Sequence, residues 1–403
     1  MLSLGSSRAG VLVSVAVIGV SPAAAEVVLT FGIEQRLEAG RNIDLSVPEE
    51  GRSVASVTRL AFGAVSRTPL DVLEFSAAGA LLVEHAADGT EVGFDRPEMG
   101  LRYTREVPNA LFSIGAQYRR DDIDAFDEGL AETDFGVTRS DTSADVRLET
   151  GRTAPLGLAF NAEYLKTEYE DTTDPELVDT ESARIGAEAT LRFTEVLEGR
   201  VGLAFQRETR ADTPGVSVET GVASVGLTYL LANGSASADL SRSSDDEEGD
   251  RTSLVLGRTF VLPAATVTVQ IGATDGEIGG TDVIGSLAWA QALPSGSLDL
   301  LVERSVSFDE DAIESVTETR ASIAWGHDIN ALSTLGLSLS HEIADAPSER
   351  TTLSQFAATY RYALTEDWGL DSGVRYRVRQ DAEGRSESPD VFIALSRSFE
   401  FRP

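Results

Sequence analysis

The chain of 403 residues contains no cysteine. It therefore has no disulfide, no thiolate zinc site and no cysteine nucleophile. Long apolar runs are also missing, because the longest, Val11–Val20, is far shorter than the roughly 20 residues that a membrane-spanning helix needs. These absences exclude disulfide-stapled domains and bundles of transmembrane helices.

Positive charge is scarce and comes almost entirely from arginine. The chain has 33 Lys and Arg residues against 66 Asp and Glu residues, a formal net charge of −33, and Lys166 is its single lysine. Because contacts to phosphates need an excess of basic residues, this balance argues against nucleic acid as a partner. Acidic composition can accompany disorder, but a hydrophobic content of 42% and the regular pattern described below argue against it.

Residues that carry catalysis are few. The chain has three histidines, His85, His327 and His341, and two of them stand beside Glu84 and Glu342. No nucleophile motif accompanies them, and we find neither a phosphate-binding loop nor a dinucleotide fingerprint. The sequence therefore predicts a protein that is not an enzyme, with no cofactor and no catalytic or dedicated metal site.

The first 25 residues have the three parts of a secretory signal peptide. Arg8 lies in a short N-terminal region, Val11–Val20 is apolar, and Ser21–Ala25 offers small residues in an A-x-A arrangement. We predict cleavage after Ala25, which leaves residues 26–403 as a single domain. The alternative, an N-terminal membrane anchor, needs a longer apolar stretch.

From residue 26 onward, apolar and polar residues alternate with a period of two. In the segment 27–38, for example, Leu29 and Phe31 lie in the same apolar phase. About twenty such segments of roughly ten residues can be traced, among them 97–105 and 389–401, and none of comparable strength has the helical period of about 3.6. The alternation predicts β-strands with one face in an apolar medium and the other in a polar one.

The connectors between these segments alternate in length. Those after even-numbered segments are tight, as in Glu106–Asn109 and Gly151–Pro155. Those after odd-numbered segments are longer, polar and acidic: Arg120–Thr138, Tyr169–Thr180, Ser243–Gly249 and Phe308–Ser315. Short periplasmic turns and longer extracellular loops are typical of transmembrane barrels. The strands of a soluble sandwich also alternate apolar and polar residues. A propeller has a comparable repeat length, but its blades would carry a recurring motif that we do not find.

Aromatic residues cluster near the ends of the predicted strands. Those near the tight connectors are Phe62, Phe75, Tyr103, Phe112, Tyr229, Phe260, Trp289, Trp325, Tyr360, Tyr362 and Trp368, and those towards the other ends are Tyr118, Tyr164, Phe205 and Tyr376. Two such bands predict the aromatic girdles of a membrane barrel. The core aromatics of a sandwich would instead be scattered along the strands.

Many charged residues of the predicted strands fall in the polar phase. Because a charge on the lipid face costs roughly 2–4 kcal/mol near the midplane, we expect these side chains to line the lumen. The candidates are Glu34, Arg36, Arg59, Arg102, Arg147, Glu163, Arg184, Glu188, Arg192, Glu303, Arg320, Arg361, Asp371, Arg375 and Arg377. They favour either a solute pathway with charged selectivity rings or a wall of mutually neutralised charges. As a further hypothesis, Arg375, Arg377 and Arg379 bind an anionic solute.

The chain resembles the bacterial outer-membrane β-barrels. Its last strand, Val391–Phe401, is similar to their C-terminal assembly signature, in which apolar residues alternate and an aromatic residue ends the strand. It departs from that pattern by placing Arg397 in the apolar phase and by adding Arg402 and Pro403. In its length, its acidity and the stretch Gly40–Leu45, the chain is similar to the β-barrel porin families of proteobacteria. The resemblance implies outer-membrane lipid and the β-barrel assembly machinery as partners, the latter through the strand ending at Phe401.

We therefore predict an all-β, transmembrane, antiparallel up-and-down barrel of about twenty strands (range about 16–20) in a Gram-negative outer membrane. The predicted function is porin-like diffusion of small hydrophilic solutes, with cation attraction at the mouth. The alternatives are export of a polysaccharide or other solute, and a structural or adhesive barrel with a closed lumen. Arg120–Thr138 and Tyr169–Thr180 are candidate constrictions, and the acidic clusters Asp245–Asp250 and Asp309–Asp311 are candidate sites for divalent cations.

Overall fold

The computed structural model describes residues 25–403 except 44, 46, 48, 50, 87–88, 123–137, 171–176, 214, 247–248, 310–313, 348 and 383. The leader prediction, apart from Ala25, lies outside the described residues. The strands are β1 (Glu26–Arg41), β2 (Arg52–Arg67), β3 (Asp71–Ala86), β4 (Gly89–Val107), β5 (Ala110–Asp122), β6 (Thr138–Thr150), β7 (Leu156–Glu170), β8 (Thr180–Arg192), β9 (Leu197–Arg210), β10 (Ser217–Leu231), β11 (Gly234–Asp245), β12 (Gly249–Leu262), β13 (Ala265–Gly276), β14 (Gly280–Leu293), β15 (Gly296–Asp309), β16 (Glu314–Asn330), β17 (Ser333–Asp345), β18 (Arg350–Ala363), β19 (Trp368–Gln380) and β20 (Arg385–Phe401).

The twenty strands form one closed antiparallel sheet. Each strand pairs with the next in sequence, and β20 returns to pair with β1, from Leu29 opposite Phe401 to Gly40 opposite Asp390. Closure gives every strand two neighbours, so the sheet has no edge with unpaired backbone groups. The predicted up-and-down barrel of about twenty strands is confirmed. Among the described residues, no helix has the length and apolar character needed to cross a membrane.

The wall of the barrel is a single layer with two contrasting faces. Residues directly opposite each other on paired strands share a face, so the register assigns every strand residue to one of the two. Large apolar side chains of one face stay exposed, for example Phe31 at 56% and Leu203 at 63%. In the part of the chain that the structure describes, the buried apolar residues are Leu45, Ala80 and Ala394. An exterior this apolar matches lipid as its solvent.

The strand ends differ from the sequence prediction at one end of the barrel. The connectors after even-numbered strands span two to five residues. At the opposite end the strands run further than predicted, because β4 begins at Gly89 instead of near residue 97, and only residues 246–248 separate β11 from β12. The extension of β4 includes a register shift opposite Ala78 and Ala80, where Arg96 has a φ of 53°. Pro97 follows Arg96 and has no amide hydrogen for the ladder, which explains why the alternation is interrupted there.

Candidate functional site

The predicted lumen residues lie on one face of the sheet. The register places Glu34 opposite Arg59 and Glu163 opposite Arg184, and the same two-residue period connects the others. This charged face carries Glu34, Arg36, Arg59, Arg102, Arg147, Glu163, Arg184, Glu188, Arg192, Glu303, Arg320, Arg361, Asp371, Arg375 and Arg377. The opposite face carries the exposed apolar residues, so we assign the charged face to the lumen.

Most arginines of this face are held in ion pairs. The pairs are Arg36 with Glu38, Arg59 with Glu98, Arg102 with Asp145, Arg147 with Glu149, Arg192 with Glu198, Arg320 with Glu342, Arg361 with Asp371, and Arg375 with Glu38 and Asp390. Most of these side chains are partly solvated, and exposed pairs contribute about 0–1 kcal/mol each to stability. Their main consequence is that the positive charge of the wall is neutralised locally.

Some pairs skip a strand. Arg102 of β4 donates hydrogen bonds of 2.8 and 3.1 Å to Asp145 of β6. Between them, directly opposite both residues, lies Gly115 of β5. A Cβ atom at Gly115 would stand 2.5 Å from Oδ1 of Asp145 and 2.9 Å from Nη2 of Arg102. The missing side chain therefore leaves room for a contact that spans three strands.

The same arrangement recurs elsewhere on the charged face. Arg200 of β9 pairs with Asp239 of β11 at 3.0 Å across Gly226 of β10, where a Cβ would come within 2.4 Å of the carboxylate. Arg59 of β2 also pairs with Glu98 of β4 across β3, where Ala80 lies opposite Arg59 and Ala78 lies opposite Glu98. This repeat is not apparent from the sequence alone. Its signal is a small residue in the polar phase, one strand after an arginine and one strand before an acid, and it emerges only when the strand register is known.

The carboxylates of the set are paired far less often than the arginines. Among the described residues, Glu34, Glu163, Glu188 and Glu303 form no ion pair, and neither does Arg184. Glu163 and Arg184 lie opposite each other on β7 and β8, but the guanidinium nitrogens of Arg184 stay more than 4 Å from the carboxylate oxygens of Glu163. The charged face thus combines arginines that are held in ion pairs with carboxylates that are not.

Two of the three arginines proposed to bind an anion are already engaged. Arg375 contacts Glu38 at 2.9 Å and Asp390 at 2.8 Å, and its side chain is 14% exposed. Arg379 pairs with Asp381 at 2.8 Å, and its side chain is 13% exposed. Both guanidinium groups are therefore already held by neighbouring carboxylates.

The third, Arg377, is covered by the connector between β1 and β2. It is 1% exposed and donates hydrogen bonds to the carbonyl oxygen of Ile43 at 2.7 Å and to Oγ of Ser388 at 3.0 Å. Asn42 and Leu45 of the same connector are also buried. The connector therefore folds over the inner face of β19 and β20, and Arg377 is out of reach of a solute in the lumen. No pattern in the sequence links residues so far apart.

Several predicted sites fall wholly or partly outside the described residues. The candidate constrictions Arg120–Thr138 and Tyr169–Thr180 consist largely of 123–137 and 171–176, and the acidic clusters include 247–248 and 310–311. Within the described ranges, Asp250 pairs with Arg242, and no group of three acidic or histidine side chains is placed to hold a metal ion. The divalent-cation prediction stays a prediction.

The histidines lie on the apolar face, opposite the charged wall. The ring of His327 stacks on Trp325 with centroids 5.4 Å apart. The Nδ1 atoms of His85 and His341 lie 2.8 Å from the hydroxyl oxygens of Thr90 and Ser354, respectively. The register separates these rings from the charges of the lumen wall.

Aromatic residues near the short connectors share the apolar face. Phe31, Phe62 and Phe75 of three successive strands are in contact, with ring centroids 5.3 and 6.0 Å apart. The adjoining turns are tied together by Arg152, which donates a hydrogen bond of 2.6 Å to Glu106. That hydrogen bond raises the pKa of Arg152 above its ordinary value. The rim at this end is therefore an aromatic band below a set of linked turns.

No family model matches the chain, and no curated protein matches its sequence. Among solved structures, it is similar to the siderophore receptor PirA from Pseudomonas aeruginosa, with a TM-score of 0.56, 11% identity, and coverage of 94% of this chain and 81% of the receptor. For a mutant of the ferric enterobactin receptor PfeA from the same organism, the TM-score is 0.55 and the identity 10%, with coverage of 93% of this chain and 81% of the receptor. For PirA from Acinetobacter baumannii, the TM-score is 0.52 and the identity 10%, with coverage of 92% of this chain and 80% of the receptor. The fold of this chain is therefore that of a bacterial outer-membrane β-barrel.

Proposed function

We propose that this chain is an outer-membrane channel through which small hydrophilic solutes diffuse passively, with a preference for cations. The proposal rests on a closed barrel whose outer face is apolar and whose inner face is charged. Twenty strands exceed the roughly 16–18 strands of porins that leave an aqueous channel. A lumen of that width holds water unless a segment of protein fills it.

The spacing of the strands favours an open lumen. Between Glu26 and Phe401 the longest interval between consecutive described strands is 123–137. Fifteen residues are too few for a folded domain, since domains have about 50 residues or more. The connector that covers Arg377 lies against the wall at one side and narrows the lumen there. Passive diffusion follows naturally from a water-filled lumen with polar walls.

The contrast between paired arginines and unpaired carboxylates carries the cation preference. Arginines of the wall are neutralised by neighbouring acids, whereas Glu34, Glu163, Glu188 and Glu303 keep their charge. A lumen that presents net negative charge attracts cations and repels anions. The acidic excess of the whole chain, a formal net charge of −33, acts in the same direction.

Planar-bilayer recording tests both parts of this proposal. The purified mature barrel is expected to insert with stable conductance steps. In a potassium chloride gradient, the sign of the reversal potential is expected to show that K⁺ permeates better than Cl⁻. A barrel that folds, as judged by different migration of heated and unheated samples in SDS gels, but never conducts would contradict the channel. An anion-directed reversal potential would contradict the cation preference.

A siderophore receptor is the competing function, since the fold resemblance is to proteins of that name. At 9–11% identity this resemblance concerns the fold alone. Binding of ferric enterobactin to the purified chain distinguishes the two functions. Saturable, micromolar or tighter binding together with absent conductance would favour the receptor, whereas conductance without saturable binding supports diffusion.

The place of the protein in the cell is part of the proposal. We infer export by the signal peptide, cleavage after Ala25 and insertion by the β-barrel assembly machinery, which would recognise the strand ending at Phe401. Membrane fractionation followed by N-terminal sequencing tests this series of steps. The expected result is an outer-membrane protein beginning at Glu26, and recovery of the uncleaved chain in the inner membrane would contradict it.

A further inference from the structure

Arg397 places a positive charge on the apolar face of the barrel. In the register it lies opposite Ile33 of β1 and opposite Trp368, the first residue of β19. Phe399 and Phe401 follow it on the same face of β20. A cation in this phase is costly in lipid unless it reaches the interface or meets an anion.

The side chain of Arg397 extends into the aromatic band at the rim. Its guanidinium carbon lies 4.2 Å from the ring centroid of Phe399 and 5.1 Å from that of Trp368. Phe399 is nearer the end of β20 than Arg397 is, so the cation points towards the rim. Aromatic bands of membrane proteins sit at the level of the lipid headgroups, and long basic side chains reach for the same level.

The guanidinium donors of Arg397 lack acceptors among the described residues. Its Nε atom is buried without a hydrogen-bond partner. Among the residues that the structure describes, no carboxylate forms an ion pair with Arg397, and its guanidinium group lies against the rings of Trp368 and Phe399. The rings attract the cation but accept no strong hydrogen bonds from its edge. An anion with several oxygens would complete this site.

Arg258 shows what a completed site looks like on the same face. It also precedes a phenylalanine by two residues, and its guanidinium carbon also lies 4.2 Å from the ring centroid, here that of Phe260. Its donors, however, are used within the protein. They bond to the carbonyl oxygens of Ser235 and Thr259 and to Oδ1 of Asn233, at 2.9, 2.8 and 2.7 Å. The two arginines therefore match in stacking and differ in unsatisfied donors.

We propose that Arg397, with Trp368 and Phe399, binds the phosphate of a glycerophospholipid headgroup. The planar guanidinium group presents paired donors that match phosphate oxygens, and lipid phosphates are the anions found at this depth. The acyl chains would lie along the apolar side chains beneath the rim, including Ile33 and Leu395, which are 41% and 38% exposed. The site is independent of the lumen and of any solute that passes through it.

Lipid retention by the intact barrel tests the assignment. The mature protein is purified in a maltoside detergent, which carries no phosphate, and titrated with phosphatidylglycerol while native mass spectrometry counts bound lipids. Arg397→Gln is expected to weaken binding of one lipid by at least about tenfold, since hydrogen bonds to charged groups are worth about that factor or more. Arg258→Gln is the matched control and is expected to bind as the wild type does.

Four further comparisons keep the test decisive. Wild-type protein should prefer phosphatidylglycerol to diacylglycerol with the same acyl chains, a comparison that needs no variant, and equal retention overturns the proposal. Displacement of the lipid by millimolar inorganic phosphate would show that free phosphate, and not a lipid, is recognised. If lipid retention is unchanged in Arg397→Gln but binding to the purified assembly machinery is lost, Arg397 belongs to assembly instead.

Folding of each variant is checked by its heat-dependent gel shift. Arg397→Lys, which keeps the charge without the paired donors, should bind the lipid at an intermediate level.

Discussion

Arg102 of β4 and Asp145 of β6 form a bidentate ion pair, with two hydrogen bonds, across the strand β5 that separates them. The pair lies over Gly115, whose missing side chain makes room for it. Cross-strand partners in a sheet are ordinarily the residues directly opposite each other or their diagonal neighbours. In this barrel the long arginine side chains reach one strand further, so the charges of the lumen wall are organised over groups of three strands.

Gly115→Val should break this pair. The new side chain would occupy the space of the two charged groups, whose ends must move apart. Because the pair is partly solvated, we expect a loss of unfolding free energy of about 1 kcal/mol or less, measured as a shifted urea midpoint for the barrel in micelles. Gly93→Val is the control, since nothing lies within 4 Å of a Cβ there. An equal loss in both variants would show that the Arg102–Asp145 contact contributes nothing.

The unpaired carboxylates should set the ion selectivity. Replacing Glu163 and Glu188 together by glutamine removes two negative charges from the wall while preserving side-chain size. The K⁺ over Cl⁻ permeability ratio from reversal potentials is then expected to fall towards unity. The matched variant with aspartate at both positions keeps the charges and should keep the ratio. A ratio that is insensitive to the glutamine substitutions would place the selectivity elsewhere in the lumen.

Arg377 should act on the connector that covers it. Arg377→Gln removes the hydrogen bond to Ile43 and leaves buried acceptors without a partner, a loss of about 1–3 kcal/mol. The Arg41–Asn42 bond, where this connector begins, is then expected to become sensitive to trypsin. Arg361→Gln is the control, because the Arg361 side chain is 76% exposed and pairs only with Asp371. If both variants are cleaved at the same rate as the wild type, Arg377 does not hold the connector in place.

Gly151 should be the least replaceable residue of the turn between β6 and β7. It has a φ of 72°, and a Cβ there would stand 2.1 Å from the carbonyl oxygen of Leu156. Gly151→Ala combines this clash with the roughly 1–2 kcal/mol cost of the left-handed conformation. Gly215→Ala has only the second cost, because its φ is 87° and nothing lies within 4 Å. Urea unfolding should therefore rank Gly151→Ala clearly below Gly215→Ala in stability.

Local alternation predicted the strands because each strand meets lipid on one side and polar surroundings on the other. That is why the segment 389–401 could be recognised as a strand, although Arg397 interrupts its apolar phase. The start of β4 was placed too late in the sequence because the bulge at Arg96 and Pro97 breaks the period of two. A register shift moves the residues on its far side to the other phase. The apolar–polar alternation therefore no longer identifies this part of the sequence as one strand.

The sequence by itself determined the all-β class and the near-complete set of strands, and its period of two grouped the candidate lumen residues on one face of the sheet. These properties depend on residues two apart, and such neighbours are read directly from the chain. Only the tertiary structure decided that Arg102 meets Asp145, that Arg377 is buried under Ile43, and that the donors of Arg258 are used while those of Arg397 are not. Such contacts depend on the stagger between strands and on the closure of β20 against β1, which bring together residues that are remote in sequence.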